Sequence, residues 1–477
     1  MSESLKKETA KGVIWSAVER FSVQGIQFLV MLVMARLLTP EDYGIVGMLA
    51  VFVSLAQAFV DSGFSQALIR KKNRTNIDNS TVFYFNIVVS VFIYCILYYC
   101  APAISDFYNM PQLTPYTRVI CLSIIINSFA IVQRAIYSAN IDFKTQTKAS
   151  VIAVIVSGII GVYLAYSDYG PWALVWQQLS NLAINTLFLW IYSNWKPQFI
   201  YSWKSFNELF AFGSKLLFTS LLNAIYSNIY TIVIGKFFSA ASLGNYSRAN
   251  HFASLPSSNF TSIFQRVTFP VLCKVQDDNK RLVDIYRRMI IASTYIIFPI
   301  MVGMAGVAKP MILILLGEKW IDCVYLLQII CFGLMWYPMH AINLDILQVK
   351  GRSDLFLKVE IYKKTISFII LAAAAPFGLI ALCYSKIVGS LICLYINNYY
   401  TNKMIGLSIW RQFADILPIL ILNGLMFIIV LACTTISNNL YFQLLLGILI
   451  GTLFYIGISW FLKLSAYKEL VALINKK

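Results

Sequence analysis

Apolar runs of roughly 20 residues recur along the whole chain, each closed by charge, Pro, Gly or Asn. A helix of that length crosses the hydrocarbon core of a bilayer. The runs predict about fourteen spans, with approximate limits 12–38, 43–69, 79–101, 116–139, 149–167, 172–193, 208–238, 244–272, 285–308, 321–349, 358–375, 379–400, 413–434 and 441–462. Helices satisfy their own backbone polar groups in lipid, so the expected fold class is an all-α polytopic membrane protein. Composition agrees. With 59% hydrophobic and 12% charged side chains over 477 residues, there is too little polar surface to face water on all sides.

The polar gaps alternate in charge. Gaps after the even-numbered spans hold Arg70, Lys71, Lys72 and Arg74; Lys144 and Lys148; Lys196 and Lys204; Lys274, Lys280, Arg281, Arg287 and Arg288; Lys350, Arg352, Lys358, Lys363 and Lys364; Lys403 and Arg411. The opposite gaps carry only Lys309 and Lys319. Short cytoplasmic loops retain Lys and Arg, so the even-numbered gaps are assigned to the cytoplasm. Lys6, Lys7 and Lys11 before the first span, and Lys463, Lys468, Lys476 and Lys477 after the last, put both termini on that side and require an even number of spans. The net charge of +17 therefore reads as topology plus attraction to anionic headgroups. Nucleic acid is not an expected partner, because no basic stretch is long enough to line a groove. Residues 4–11 lack the features of a signal peptide and are expected to lie at the interface, as is the tail from 465 to 477. Nine scattered cysteines, no CxxC and two histidines, His251 and His340, predict neither a disulfide framework nor a metal centre, and no cofactor is expected.

A shift of 200 residues brings two halves into register. Arg36-Leu-Leu-Thr-Pro-Glu-Asp-Tyr-Gly44 falls on Lys236-Phe-Phe-Ser-Ala-Ala-Ser-Leu-Gly244, and Ser54, Gln57, Asp61 and Phe64 fall on Ser254, Ser257, Thr261 and Phe264. Six spans separate the copies, an even number, so the halves are expected in parallel topology about a pseudo-twofold axis along the membrane normal. The expected organisation is an interfacial segment over 1–11, an N-lobe of six helices over 12–193, a C-lobe of six over 208–400, two extra helices over 413–462 and a cytoplasmic tail over 463–477.

The run at 36–44, with Phe-Val-Asp-Ser-Gly-Phe-Ser at 59–65, resembles the polysaccharide-export flippases of the Wzx type. A second block agrees: Gly-Asn-Tyr-Ser-Arg-Ala at 244–249, Leu-Pro at 255–256, Phe-Pro-Val-Leu at 269–272, Val-Gln-Asp-Asp at 275–278, Leu-Leu-Gly-Glu-Lys-Trp at 315–320, Leu-Leu-Gln-Ile at 326–329 and Lys-Gly-Arg-Ser-Asp at 350–354. The resemblance covers most of residues 12–400 and none of the last two spans. It implies membership of the multidrug/oligosaccharidyl-lipid/polysaccharide exporter superfamily, with two lobes around a central cavity. It further implies a cargo of oligosaccharide on a polyprenyl diphosphate, moved from the inner to the outer leaflet of a bacterial plasma membrane for surface polysaccharide synthesis. Polymerases and glycosyltransferases of the same route are the implied partners.

Apart from the basic residues assigned to the gaps, nine remain inside the spans: Arg20, Arg36, Arg118, Arg134, Lys215, Lys236, Arg248, Arg266 and Lys386. Charge at membrane depth is expensive and normally faces a bundle interior or water. Arg36, Arg118 and Lys236 lie close enough to the outer surface to snorkel. Several others continue polar stripes at helical spacing: Ser16, Arg20, Gln24 and Gln27; Ser54, Gln57, Asp61 and Ser65; Ser123, Asn127, Arg134 and Ser138; Lys215, Thr219, Asn223 and Ser227; Arg248, His251, Ser258, Ser262 and Arg266. Such stripes also occur wherever helices pack in a bundle. Together they predict a hydrated cationic cavity formed by Arg20, Arg134, Lys215, Arg248, Arg266 and Lys386, with Gln24, Gln27, Asn127 and Asn223 as hydrogen-bonding partners.

That chemistry suits the implied cargo. A planar guanidinium binds two diphosphate oxygens at once, a lysine acts as a point charge, and amides reach sugar hydroxyls. Moving about two negative charges outward gains about 4.6 kcal/mol at 100 mV. A proton or sodium ion could reset the carrier, with Asp61 the leading site and Glu19 and Asp345 behind it; a static Asp61–Arg20 ion pair is the competing reading. A drug or cation antiporter of the same superfamily would need buried acids rather than buried bases. A membrane polymerase or glycosyltransferase would need a large outer loop or a carboxylate cluster. Neither is present in the sequence, and no catalytic residues are expected.

Overall fold

The computed structural model describes the backbone of residues 3–464, 466 and 467, and the side chains of residue 15 and of residues 21–464, 466 and 467. All regular structure among these is helical. The first half comprises α1 (Glu3–Leu37), α2 (Pro40–Asp61), α3 (Phe64–Arg70), α4 (Asn76–Tyr108), α5 (Leu113–Ile120), α6 (Leu122–Ala139), α7 (Phe143–Tyr166) and α8 (Pro171–Ile191). The second comprises α9 (Trp203–Phe237), α10 (Ala240–Lys274), α11 (Asn279–Gly306), α12 (Ala308–Leu315), α13 (Ile321–Leu334), α14 (Tyr337–Val349), α15 (Ser353–Ala374) and α16 (Leu379–Ile405). Helices α17 (Ile409–Cys433) and α18 (Leu440–Phe461) follow.

Each expected span lies on one of these helices or on a consecutive pair. Ten helical stretches among the described residues are long and apolar enough to cross a membrane, which makes this a multi-pass membrane protein. Three spans are split. Span two breaks at Ser62-Gly63, both left-handed (φ 45° and 72°), span four at Cys121, and span ten between α13 and α14. Pro256 and Pro299 sit inside continuous helices. Short helix α12 occupies part of the gap read as a loop after span nine.

The repeat shows in the helix boundaries: α1 and α9 are each 35 residues long and offset by 200 at both ends. Thr39 caps α2 and Thr75 caps α4 through reciprocal bonds with Asp42 and Asp78, which satisfy N–H groups that a helix start leaves open.

Contacts divide the chain into two compact units, Met1–Gly244 and Asn245–Lys477. In the first, α1 lies on α7, α7 on α8, and α4 on α6, while α9 packs on α2, α3 and α4. Bare backbone closes the α2 side at two levels. A β-carbon on Gly44 would stand 1.8 Å from the Ala240 carbonyl oxygen, and one on Gly244 1.8 Å from the Pro40 oxygen, so repeat-related positions contact each other reciprocally. Further along, one on Gly63 would stand 2.5 Å from the Gly213 oxygen, and one on Gly213 2.6 Å from the Ser62 oxygen. Small residues allow such approach where no hydrophobic effect drives helices together.

Beside the second contact, Lys71 Nζ bonds Asp78 Oδ1 and Glu208 Oε2, both at 3.0 Å. Ser205 donates to the same Asp78 oxygen, tying the start of α9 to α4. Burial pulls the Lys71 ammonium pKa down, and the two carboxylates outweigh it, leaving it above the ordinary lysine value.

In the second unit α11 packs on α17, α13 to α15 on α16, and α17 on α18. The buried Tyr286 hydroxyl lies 2.7 Å from Asn343 Oδ1 and 3.1 Å from Gln412 Oε1, and Gln412 Nε2 donates to Asn398. Arg287 grips Asp415 with two bonds of 2.7 and 2.6 Å. One polar cross-link therefore joins α11, α14, α16 and α17.

Replacing Gly44 or Gly244 by Ala is expected to cost on the order of 2 kcal/mol or more, because backbone must move to admit the methyl group. Gly424→Ala, with nothing within 4 Å of the added carbon, is expected to be neutral or stabilising. Thermal unfolding of the three purified variants checks this.

Candidate functional site

The side chains of Glu19 and Arg20, and with them the Arg20–Asp61 pair, lie outside the described residues. Farther along α1, Gln24 is half-buried and Gln27 exposed. Asp61 closes α2, and its Oδ1 accepts from the Ser65 backbone N–H at 3.2 Å and the Ser65 hydroxyl at 2.6 Å. It thus caps α3 across the left-handed Ser62-Gly63 pair.

On α6 the half-buried Arg134 donates from Nη1 to Asn127 Oδ1 at 3.1 Å, joining two of the expected site residues along one helix face. On α9 the whole stripe of Lys215, Thr219, Asn223 and Ser227 is exposed. Lys215 stands 12 residues past Trp203, about 18 Å along the helix. An ammonium at that depth requires water beside it rather than hydrocarbon. On α10 Arg248 and His251 are half-buried, Ser262 is half-buried, and Ser258 and Arg266 are exposed.

Lys386 on α16 is braced. Its Nζ donates to Asn250 Oδ1 at 2.6 Å and lies 5.1 Å from the centre of the Tyr246 ring. Two bases assigned to the outer surface are held in a similar way. Arg118 stacks 4.5 Å from the Tyr98 centroid, and Lys236 donates to the Phe107 carbonyl with its ammonium over the same residue's ring.

Asp345 on α14 is 5% exposed, and its Oδ1 accepts from Gln265 Nε2 at 3.2 Å. Its Oδ2 has no partner among the described residues, nor does the buried Thr268 hydroxyl one turn beyond Gln265. A buried carboxylate with one open oxygen is costly unless it binds a proton or a cation. Asp61 and Asp345, alike in sequence, thus differ in place: one ends a helix, the other sits in a packed interior.

Three participants were not anticipated. Asn250 holds Lys386, Gln265 holds Asp345, and Asn228 donates to Ser54 Oγ at 3.0 Å from α9. Each is an amide in an apolar span within two residues of a singled-out residue, and that adjacency was the available signal.

The sequence model of a family described as "polysaccharide biosynthesis protein" matches residues 33–325. Among curated relatives, the teichuronic acid biosynthesis protein TuaB of Bacillus subtilis is 24% identical, covering 99% of each chain. The lipopolysaccharide biosynthesis protein WzxC of Escherichia coli is 25% identical over 88% of each. The succinoglycan biosynthesis transport protein ExoT of Rhizobium meliloti is 24% identical over 66% of this chain and 64% of its own. Among solved structures, the lipid II flippase MurJ in an inward closed conformation superposes with TM-score 0.72 at 17% identity, over 96% of this chain and 100% of that one. An inward-facing multidrug resistance transporter of the MATE family gives 0.63 at 15%, over 83% and 98%. These likenesses establish the fold.

Asn250→Leu removes the acceptor from Lys386 and is expected to cost about 1–3 kcal/mol in thermal or denaturant unfolding. At position 61 the cap needs an oxygen and no charge. Asp61→Asn is therefore expected to unfold within about 0.5 kcal/mol of wild type, and Asp61→Ala to lose about 1 kcal/mol.

Proposed function

Because the chain belongs to the polysaccharide biosynthesis protein family matched over residues 33–325, we propose that it is a flippase for polyprenyl-diphosphate-linked oligosaccharide, feeding surface polysaccharide synthesis. The names of the relatives support this, since two are called biosynthesis proteins of cell-surface polymers and a third a transport protein of the same kind. So does the fold shared with a lipid II flippase, whose cargo by name is also a lipid. The observation that carries the reading to residues is the stripe on α9: Lys215, Thr219, Asn223 and Ser227 are all exposed along a helix of membrane-spanning length.

In this reading Lys215, Arg266, Arg134 and Arg20 receive the diphosphate, and Gln24, Gln27, Asn127 and Asn223 receive sugar hydroxyls. The prenyl chain trails in lipid. Arg248 contributes field from a half-buried position. Lys386 serves mainly as a brace, because Asn250 and Tyr246 already occupy it. Two lobes rocking about the site would carry the headgroup outward, aided by a potential negative inside. The Lys and Arg distribution supports the bacterial cytoplasmic membrane with both termini inside. The protein acts as a transporter and not as an enzyme, and works beside the glycosyltransferases and polymerase of its route.

For the coupling ion, a proton or sodium, the preferred site is Asp345 rather than Asp61. Asp345 has an open buried oxygen, whereas Asp61 already caps α3. A cation antiporter of the same fold is disfavoured by the basic character of the spans.

Arg134→Ala, Lys215→Ala and Arg266→Ala are each expected to reduce surface glycan at least tenfold with membrane insertion unchanged. Normal surface glycan in all three would sink the cationic site. In proteoliposomes, Asp345→Asn is expected to abolish the response of headgroup flipping to imposed proton or sodium gradients, and Asp61→Asn to retain it. The opposite pattern would return the coupling role to Asp61.

A further inference from the structure

Between α8 and α9 the chain runs without helix over residues 192–202, and three hydrogen bonds strap it to neighbouring helices. The backbone N–H of Gln198 donates to Ser80 Oγ at 3.0 Å, that of Ser202 to Thr81 Oγ1 at 3.1 Å, and Gln133 Nε2 donates to the Trp195 carbonyl at 3.4 Å. Ser80 and Thr81 are fully buried, so their hydroxyls serve as fixed anchor points. They lie four and five residues into α4, about 6–8 Å along it. The strap therefore runs at the depth of the first turns of a membrane-spanning helix and does not hang free in the cytoplasm.

Its outward side chains are the wrong ones for water. Phe199 is 98% exposed and Trp203 69%, with Ile200 and Tyr201 exposed between them. Phe199 lies nearly parallel to the Tyr84 ring at 6.0 Å between centroids, and Trp203 meets Tyr201 edge-on at 5.3 Å. Lys196 and Lys204 flank them and are exposed too.

We propose that the strap joining the two repeats is an interfacial anchor that binds anionic phospholipid of the cytoplasmic leaflet, Phe199 and Trp203 entering the headgroup–acyl boundary and Lys196 and Lys204 meeting phosphate. Amphipathic rings favour that boundary, and lysines beside it are attracted to anionic lipid. Charge complementarity selects the partner, because the strap and the nearby cytoplasmic turn with Arg70, Lys72 and Arg74 are basic and the inner leaflet is acidic. The inference rests on the chain crossing a membrane with this side inward, and is independent of the cargo.

The test uses the full chain in nanodiscs, reading Trp203 as the difference in fluorescence between wild type and Trp203→Phe. With lipid brominated near the top of the acyl chains, the difference signal is expected to fall at least twofold, and iodide in the buffer to leave it within about a tenth. Quenching by iodide with no response to brominated lipid would overturn the anchor. Changing the disc from phosphatidylcholine to phosphatidylglycerol is expected to shift the difference spectrum to shorter wavelength. The Lys196→Gln, Lys204→Gln double variant should lose that shift while keeping the bromine response. An identical spectrum in both lipids for wild type would overturn the anionic partner.

Discussion

Much of the first unit depends on helix α2 lying against bare backbone. At one level Gly44 and Gly244 admit the carbonyls of Ala240 and Pro40, and at another Gly63 and Gly213 admit those of Gly213 and Ser62. In water, burial of apolar side chains would draw such helices together, but lipid tails offer a helix as much as a neighbouring leucine does. Close approach, and the dispersion and weak Cα–H···O contacts that come with it, must supply the attraction. The packing of α9 on α2, α3 and α4 follows, as does the position of the Lys71, Asp78 and Glu208 cluster where their ends converge.

The same solvent sorts the basic residues. A base with an acceptor or ring beside it can be part of the architecture: Lys386 on Asn250 and Tyr246, Lys236 on Phe107, Arg118 on Tyr98. A base that stays exposed far along a membrane-length helix, as Lys215 and Arg266 do, is paid for by something other than packing. The net charge of the chain does not distinguish the two groups.

Hydropathy made the spans legible because each must be largely apolar along its length, so every expected stretch overlaps one helix or a consecutive pair. The repeat was legible for a related reason. Only glycine fits where Gly44 and Gly244 pass a carbonyl, and that requirement left the same letter at the same offset in both halves. The breaks at Cys121 and between α13 and α14 were hidden, since a short interruption costs an apolar run nothing in hydropathy. Site reading stopped at the level of single helices. Periodicity put Asp61 on a polar stripe, yet its oxygen is spent on Ser65, a matter of a left-handed turn that spacing cannot express. It also placed Asp345 behind Asp61, because the partner that makes it distinctive, Gln265, sits on another helix.

Tyr286 and Arg287 emerge from the ribosome 126 and 128 residues before Gln412 and Asp415. At about 5–20 residues per second, that interval is roughly 6–25 s. Throughout it, the Arg287 guanidinium at the start of α11 waits for its carboxylate, while the Tyr286 hydroxyl gains Asn343 after 57 residues and Gln412 only later. The last two helices, which carry no trace of the repeat, are thus the pieces that finish the second unit, and its assembly has to be tolerant of waiting.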